Sequence, residues 1–217
     1  MVVVVEVVVV ATTTAPPSTF DTRTKGHLRL SFDLLPDMEA FSPHPDGYRG
    51  SVELVDALSR RGGFDVTVSA YPEKHPESGD MQTDIDLLKA KIDAGATRAI
   101  TQFVFDTEHH YRFRDVLADN QINILVIPGI MPTTNFKGVL RMSEACGASV
   151  PDWMKSKFEG LDDDLESRRA LAIEVATEQS RDLIKSGFEN LHFYTLNQAT
   201  VTQAVCDALS LENVGVQ

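Results

Sequence analysis

The sequence predicts an α/β protein built on a parallel β-barrel or on part of one. From residue 27 onward, short apolar segments alternate with helical patterns, an order typical of βα units with a parallel sheet. The apolar segments are nearly continuous, as expected for strands that are buried on both faces. Neither GxGxxG nor GxxxxGK[ST] occurs in the 217 residues, so dinucleotide-binding and P-loop folds are not indicated.

Five strands and seven helices are predicted in this region, in strand–helix order. Apolar and β-branched runs predict strands at residues 28–32, 64–70, 98–105, 122–127 and 191–196. Apolar residues at helical spacing predict helices at residues 51–61, 81–93, 107–120, 135–146, 151–158, 162–186 and 200–209. The longest helix begins at three aspartates and ends before Gly187, an arrangement that helix termini favour.

Residues 1–26 differ from the rest and are predicted to be an N-terminal segment with a linker. Valine fills positions 2–10 except at Glu6, a β-branched composition that predicts a strand. The run is too short to span a bilayer. Residues 11–25 are rich in Thr, Ser and Pro, as linkers are. The predicted organisation is therefore residues 1–26 and one α/β domain over residues 27–217.

The composition excludes several classes of function. The formal net charge is −12, which argues against sequence-independent nucleic-acid binding and against anionic membrane surfaces. Cys146 and Cys206 are the only cysteines, and neither lies in a CxxC or Cys/His cluster. We therefore predict two buried thiols, a reducing cytoplasmic environment and no metal site.

Polar side chains gather at the carboxyl ends of the predicted strands, where parallel barrels carry their sites. They are Asp33, Tyr71, His75, Gln102, the Pro128-Gly129 pair and Asn197. In AYPEKHPES, residues 70–78, two prolines stiffen the loop that presents Tyr71 and His75. The loop is either a rigid connection with a structural histidine or a site for a planar ligand, which the neighbouring aromatic ring favours.

Two further patterns leave alternatives open. Asp84 and Lys91 share one face of a predicted helix. The spacing alone favours the interpretation that both side chains lie on a solvated helix surface. The alternative is a binding site in which the carboxylate contacts ribose hydroxyls and the ammonium contacts a phosphate. Gln102 lies in the apolar run RAITQFVFD, residues 98–106, and needs a hydrogen-bond partner there. The edge of a heterocycle and a neighbouring backbone group are equally supported partners.

Six blocks of the chain, in order, carry a resemblance to a known family. They are FSPHPDGYR (41–49), AYPEKHPES (70–78), KIDAGATRAITQFVFD (91–106), LVIPGIMP (125–132), FEGLDDD (158–164) and LHFYTLN (191–197). These blocks resemble the characteristic motifs of methylenetetrahydrofolate reductases and extend from about residue 41 to residue 211. The resemblance implies a partial or full (β/α)8 TIM barrel with parallel strands and FAD at their carboxyl ends.

The resemblance also implies a function. It implies FAD-dependent reduction of methylenetetrahydrofolate to methyltetrahydrofolate with NADH or NADPH as electron donor, in one-carbon and methionine metabolism. The residues that match FAD contacts of the family are Tyr71, His75, Ser78, Asp84 and Lys91. Gln102 matches the glutamine that contacts both folate and nicotinamide. The implied partner is a folate substrate in the cytoplasm, and a homo-oligomer is compatible with the sequence.

Three departures from the family pattern bear on catalysis. The E-F-F-P-type motif, whose glutamate is thought to be the general acid, is absent, and Glu6 stands in no such motif. Asp33 is the best match to the aspartate of the family's L-R-G-D, without the preceding Arg-Gly, and is a tentative catalytic residue. Gly138 and Gln198 stand where the family has a glutamine after N-F-K and often an arginine after Y-T-L-N.

These departures support two interpretations of the chain. Five family strands and one valine strand cannot close an eight-stranded barrel, and closure is what buries the strand edges. We therefore expect a truncated copy whose residues 1–30 replace the true N-terminal half. The alternative is a working variant that borrows the missing strands from another chain. If truncated, the protein is a catalytically inactive remnant that at most binds flavin.

Overall fold

The computed structural model describes residues 7–10, 45–196 and 198–213. Over these residues the strands are β1 (Val7–Val10), β2 (Asp65–Ala70), β3 (Arg98–Phe103), β4 (Leu125–Ile130) and β5 (His192–Phe193). The helices are α1 (Ser51–Arg61), α2 (Met81–Asp93), α3 (Glu108–Asp119), α4 (Phe136–Cys146), α5 (Asp152–Phe158), α6 (Leu165–Lys185) and α7 (Ala199–Asn213). The predicted strand at residues 28–32 lies outside the described residues, as do Glu6, Asp33 and Asn197.

Strands β2 to β5 form a parallel sheet in chain order. Helices connect each of these strands to the next, so the four strands build half of a (β/α)8 barrel. The predicted α/β class with parallel strands is confirmed. This topology places the carboxyl ends of β2, β3 and β4 side by side, which is where the polar residues of the sequence were expected to meet.

The valine-rich segment contributes a strand, as predicted, but it runs antiparallel to its neighbour. β1 pairs with β2 so that Val7 lies opposite Val68 and Val10 lies opposite Asp65. The parallel neighbour predicted for β2 was the strand at residues 28–32, which lies outside the described residues; among the described strands, the antiparallel β1 is the one that pairs with this edge of β2. Consecutive β-branched residues fit a pleated ladder, and the pairing covers backbone groups of β2 that an edge strand leaves exposed.

Three apolar clusters attach the helices to the sheet. The first joins α1, α2 and α3 to β2 and β3 through residues such as Val55, Ile85 and Phe113. The second surrounds Phe103 at the end of β3 and includes side chains of α4 and α5. The third packs α6 and α7 against β4 and β5, with Val205 fully buried. None of the helices among the described residues is long and apolar enough to cross a bilayer.

The limits of β4 differ from the prediction in a way that matters for the site. β4 runs from Leu125 to Ile130, so Pro128 and Gly129 lie inside the strand and do not follow it. Ile122 and Ile124, which were predicted to begin the strand, instead pack against the first cluster from the preceding connection. An apolar run alone does not distinguish a strand from a buried approach to it.

The two cysteines have different environments. Cys146 is 2% exposed, and burial raises the pKa of its thiol to about 12. It is therefore the inert core thiol that was predicted. Cys206 is exposed on α7, so its predicted burial is wrong. Its neighbour on the same helix, Val205, is the residue that turns toward the sheet.

Candidate functional site

The loop after β2 is held in shape by its own hydrogen bonds. The Ser78 backbone N–H donates to the carbonyl of His75 at 3.0 Å. The Lys74 ammonium donates to the carbonyl of Ser78 at 2.5 Å, and Lys74 itself has a φ of 85°. At the far end of the loop, Asp80 caps α2 by accepting from the Thr83 backbone N–H at 2.8 Å. These hydrogen bonds account for the rigidity that the sequence predicted for the loop.

Asp84 fastens this loop to α2. Its carboxylate accepts from the His75 backbone N–H at 2.7 Å and from the Ser78 hydroxyl at 2.5 Å. Asp84 is only 8% exposed. One lone pair on each oxygen is therefore committed to the loop, and a carboxylate retains further accepting capacity. Asp84 shapes the site in addition to any contact with a ligand.

Lys91 lies on the same buried face of α2 as Asp84. It is 3% exposed, and the seven-residue spacing brings it under Asp84 after two turns. By contrast, Asp86 and Lys89 on this helix are exposed. The solvated-surface interpretation, which spacing alone favoured, is wrong for both residues of the pair. A buried ammonium needs polar or anionic company, and its position is consistent with phosphate binding.

Tyr71 and His75 form an edge-to-face pair beside these charges. Their ring centroids are 4.6 Å apart with an interplanar angle of 89°. The His75 Nδ1 accepts from the Glu77 backbone N–H at 3.1 Å. A neutral imidazole that accepts at Nδ1 carries its proton on Nε2. His75 therefore presents a hydrogen-bond donor as well as a ring.

These side chains surround a common cleft of about 180 Å³ at the carboxyl end of β2. Its lining includes the five residues that were predicted to contact a cofactor, namely Tyr71, His75, Ser78, Asp84 and Lys91. Leu87, Leu88 and Phe113 supply apolar walls. The cleft thus combines a cation, a carboxylate, a hydroxyl and two rings, a set that suits a phosphate-bearing, partly aromatic ligand.

Gln102 lies next to this cleft on an irregular part of β3. It lines a narrow crevice together with Tyr71. The ladder pairs Ile100 with Ile127 and then Phe103 with Gly129, so β3 has one more residue than β4 over this interval. Such a bulge re-aims side chains and is common beside active sites.

The structure shows one of the two partners that the sequence context left open for Gln102, a neighbouring backbone group. Gln102 is 8% exposed, and its Oε1 accepts from the Phe103 backbone N–H at 3.0 Å. Its amide nitrogen donates no hydrogen bond to any of the described residues. The oxygen is thus committed to the backbone, and the NH2 group is the part that can recognise a ligand.

Sequence reasoning missed two residues around the bulge, Thr101 and Tyr194, which contact Gly129 and each other. The Thr101 hydroxyl accepts from the Gly129 backbone N–H at 2.9 Å. The Tyr194 hydroxyl donates to the Thr101 carbonyl at 2.9 Å. A polar Thr directly before Gln102 in an apolar run, and a Pro-Gly pair inside a strand, were the available signals.

Glu73 ties the loop to two neighbouring segments, and this was also missed. Its carboxylate accepts from the Ser149 backbone N–H at 3.1 and 3.2 Å and lies 3.3 Å from His109 Nε2. Gly147 packs so closely that a Cβ there would lie 3.2 Å from the Lys74 carbonyl. Contacts between distant loops of this kind leave no pattern in the sequence.

The two positions that depart from the family pattern have local partners. The Gly138 backbone N–H donates to Asn135 Oδ1 at 3.0 Å, in the first turn of α4. The Gln198 side chain accepts from the Thr134 hydroxyl at 3.0 Å. No cluster of His, Cys, Asp or Glu suited to a metal occurs in the part of the chain that the structure describes.

Comparison with known proteins identifies the family. The family described as methylenetetrahydrofolate reductase matches residues 25–210. The chain is 45% identical over 161 residues to 5,10-methylenetetrahydrofolate reductase of Buchnera aphidicola, covering 74% of this chain and 55% of the relative. It is 41% identical over 184 residues to the Escherichia coli protein of that name, covering 85% of this chain and 62% of the relative.

A plant protein is a further relative. The chain is 35% identical over 181 residues to methylenetetrahydrofolate reductase (NADH) 1 of Arabidopsis thaliana, covering 78% of this chain and 31% of that protein. The chain thus spans between 55% and 62% of the length of the two bacterial relatives. With the family match covering most of its residues, this chain belongs to the methylenetetrahydrofolate reductase family.

Proposed function

We propose that this chain binds FAD in the cleft after β2 and takes part in the NADH- or NADPH-dependent reduction of methylenetetrahydrofolate to methyltetrahydrofolate. One observation carries the proposal. The five residues that match FAD contacts of the family line a common cleft, and Gln102 lies beside it on the next strand. One-carbon metabolism in the cytoplasm is the corresponding setting.

The cleft suits part of FAD. Its volume of about 180 Å³ is below the roughly 300–1,000 Å³ that encloses a whole drug-sized ligand. The Lys91 ammonium and the His75 Nε2–H would hold a phosphate. Oxygens of Asp84 and Ser78 would accept from ribose hydroxyls, and Tyr71 offers a ring face. The remainder of the cofactor would extend along the carboxyl ends of the strands toward Gln102.

Gln102 supplies orientation in this proposal. Because Phe103 N–H holds its oxygen, the NH2 group has a defined direction and would donate to the pterin of the folate or to the carboxamide of the nicotinamide. FAD, when bound, carries the hydride between these two substrates. The protein therefore contributes alignment of the two partners, which is a major source of rate enhancement.

The described residues do not offer an evident acid for the folate step. Glu73 is the only carboxylate among the described lining of the Gln102 crevice. Its oxygens already accept from Ser149 and lie beside His109. This observation favours a second candidate function, in which the chain binds flavin without reducing folate. The two functions differ in one half-reaction.

The first test is binding of FAD to a Lys91 variant. Lys91→Met keeps the apolar stem but removes the charge, and a charge-assisted phosphate contact is worth about 1.5–3 kcal/mol. We expect the dissociation constant of FAD, measured by quenching of flavin fluorescence, to rise roughly 10- to 100-fold. Lys89→Met on the exposed face of α2 is the matched control and should bind like the parent. Equal affinity of the Lys91 variant and the parent would refute the phosphate assignment.

A further inference from the structure

The bulge in β3 lies opposite a proline, which cannot donate a backbone hydrogen bond to it. Thr101 and Gln102 occupy the interval between Ile100 and Phe103, and on β4 this interval holds only Pro128. Proline has no backbone N–H to donate to a neighbouring strand. Thr101 pairs with Ala70 of β2 on one side, so it is on the β4 side that the bulge carrying Gln102 needs other groups to fix its conformation.

Two side chains provide that support. The Thr101 hydroxyl accepts from the Gly129 N–H, and the Thr101 carbonyl accepts from the Tyr194 hydroxyl, both at 2.9 Å. Thr101 is fully buried. Tyr194 follows β5 directly, and its own backbone N–H donates to the carbonyl of Ile130 at 2.8 Å. The bulge is thus tied to β4 and to the end of β5.

Gly129 is what allows this arrangement. A Cβ at that position would lie 2.3 Å from the Thr101 carbonyl oxygen and 2.6 Å from Cε2 of Tyr194. No ordinary side chain tolerates such distances, so only glycine lets both groups reach the bulge at once. Close approach of backbones is a recognised reason for glycine inside a strand.

The Tyr194 ring is itself held in place. It packs edge-on against Phe103, with ring centroids 5.9 Å apart, and against His192 at 4.8 Å. Burial raises the pKa of the Tyr194 hydroxyl, so the group stays protonated and remains a donor at neutral pH. The hydroxyl is thus fixed in both position and protonation state.

We propose that Thr101 and Tyr194 are positioning residues that aim the Gln102 amide at the substrates. Gln102 directly follows Thr101, and its oxygen is bonded to the next backbone N–H along the bulge. The direction of its NH2 group therefore follows the backbone of residues 101–103, which these two side chains hold. This proposal rests on the proposed function in one respect, namely that Gln102 contacts the folate and the nicotinamide.

The first measurement needs no cofactor. Hydrogen exchange of the Phe103 amide reports its bond to Gln102 Oε1. Tyr194→Phe removes only a hydroxyl, and Thr101→Val replaces the Oγ hydroxyl with a methyl group of similar size. We expect both to lower the protection of Phe103 at least tenfold, and Thr101→Ser, which keeps an Oγ, to restore it. The control is Tyr111→Phe, whose hydroxyl bonds Asp182 on α6, and it should leave this amide unchanged.

The second measurement separates positioning from general stability. In stopped-flow reduction of the FAD-loaded protein by NADH or NADPH, Tyr194→Phe should slow flavin reduction about tenfold without changing the dissociation constant of FAD by more than twofold. In a Gln102→Ala background the same change should have no further effect, because its action passes through Gln102. An equal slowing in both backgrounds, or unchanged Phe103 protection in Tyr194→Phe, would overturn the proposal. Absence of FAD binding by the parent would instead overturn the proposed function, and the exchange measurement would still decide whether the two side chains hold Gln102.

Discussion

Asp84 shows how a single residue can serve the fold and the site together. Its carboxylate holds His75 and Ser78 in place, so it forms the cleft into which it also projects. Its spacing from Lys91 showed that the two share a helix face, but not that this face is buried. Exposure of a helix face is decided by what packs against it, here the loop after β2.

His110 is a second residue whose environment has a measurable consequence. It is 2% exposed and lies 6.2 Å from Phe188, measured between ring centroids. Neither ring nitrogen has a hydrogen-bond partner within the described part of the chain. Burial, with a smaller contribution from His109, lowers the pKa of His110 to about 4.

This shift predicts a loss of stability in acid. The unfolded chain binds a proton at His110 near pH 6.5, whereas the folded chain does so only near pH 4. Between these values the unfolded state binds more protons, so the free energy of unfolding falls as the pH is lowered, by on the order of 3 kcal/mol in total. The measurement is urea denaturation at pH values from 7 to about 4.

His110→Phe should remove this contribution. The aromatic replacement suits the apolar surroundings and leaves no buried nitrogen without a partner, so we also expect a gain of about 1 kcal/mol at neutral pH. Burial also lowers the pKa of His192, but that contribution is common to parent and variant. Parallel stability curves for the two proteins across the acid range would contradict the prediction.

At the scale of elements, α3 and α6 are joined by a polar contact between helices distant in sequence. Asp182 accepts from the Thr107 hydroxyl at 2.5 Å and from the Tyr111 hydroxyl at 2.6 Å. The hydrogen bond from Thr107 has the largest effect on the pKa of Asp182, and together the two bonds hold that pKa below its usual value. Arg114 donates to the carbonyl of Ser186 and lies over the rings of Tyr111 and Phe188.

Asp182→Asn tests the strength of this contact. Because the group is largely exposed, solvent screens it, and we expect a loss of only about 0.5–1 kcal/mol in the free energy of unfolding. The difference should be present at neutral pH and vanish as the pH falls through the lowered pKa of Asp182, since protonation of the parent also removes the charge. Asp115→Asn, at an exposed position of α3, is the control, and equal losses for the two variants would argue against a specific contact.

At the scale of the whole molecule, the four parallel strands form half of a barrel. Among the described residues, this half contains the cleft proposed for the cofactor but no evident general acid for the folate step. We therefore predict that the two half-reactions differ in this chain. Flavin reduction by NADH or NADPH should proceed, because hydride transfer to flavin needs no positioned acid. Reduction of methylenetetrahydrofolate should be slower than in a full-length bacterial relative by roughly 10²–10⁴-fold, the usual contribution of a positioned acid.

Separate stopped-flow measurements of the two half-reactions check this prediction. The bacterial relative, assayed in parallel, is the control for both steps. Folate reduction by this chain at the rate of the relative would show that an acid is present after all. Glu6→Gln would then be the next variant to examine, because Glu6 is the one carboxylate in the valine-rich segment.

Much of this protein follows from local sequence. Helices α1 and α2 have the predicted limits, and each of the other predicted helices has a counterpart, because apolar spacing and end residues act within a few turns. The motif blocks likewise indicated the family and the residues around the cleft. These features depend on neighbours in the chain, and so a single sequence can determine them.

Tertiary structure decided how distant segments meet. The burial of Asp84 and Lys91, the antiparallel placement of β1, and the hydrogen bond from Tyr194 to Thr101 all depend on such meetings. Tyr194 lies 93 residues from Thr101 along the chain, and no local pattern encodes that contact. Local sequence therefore determined which elements form and which residues are available to the site. The packing of parallel strands determined the direction in which those residues point, because strand register and burial are properties of the assembled sheet.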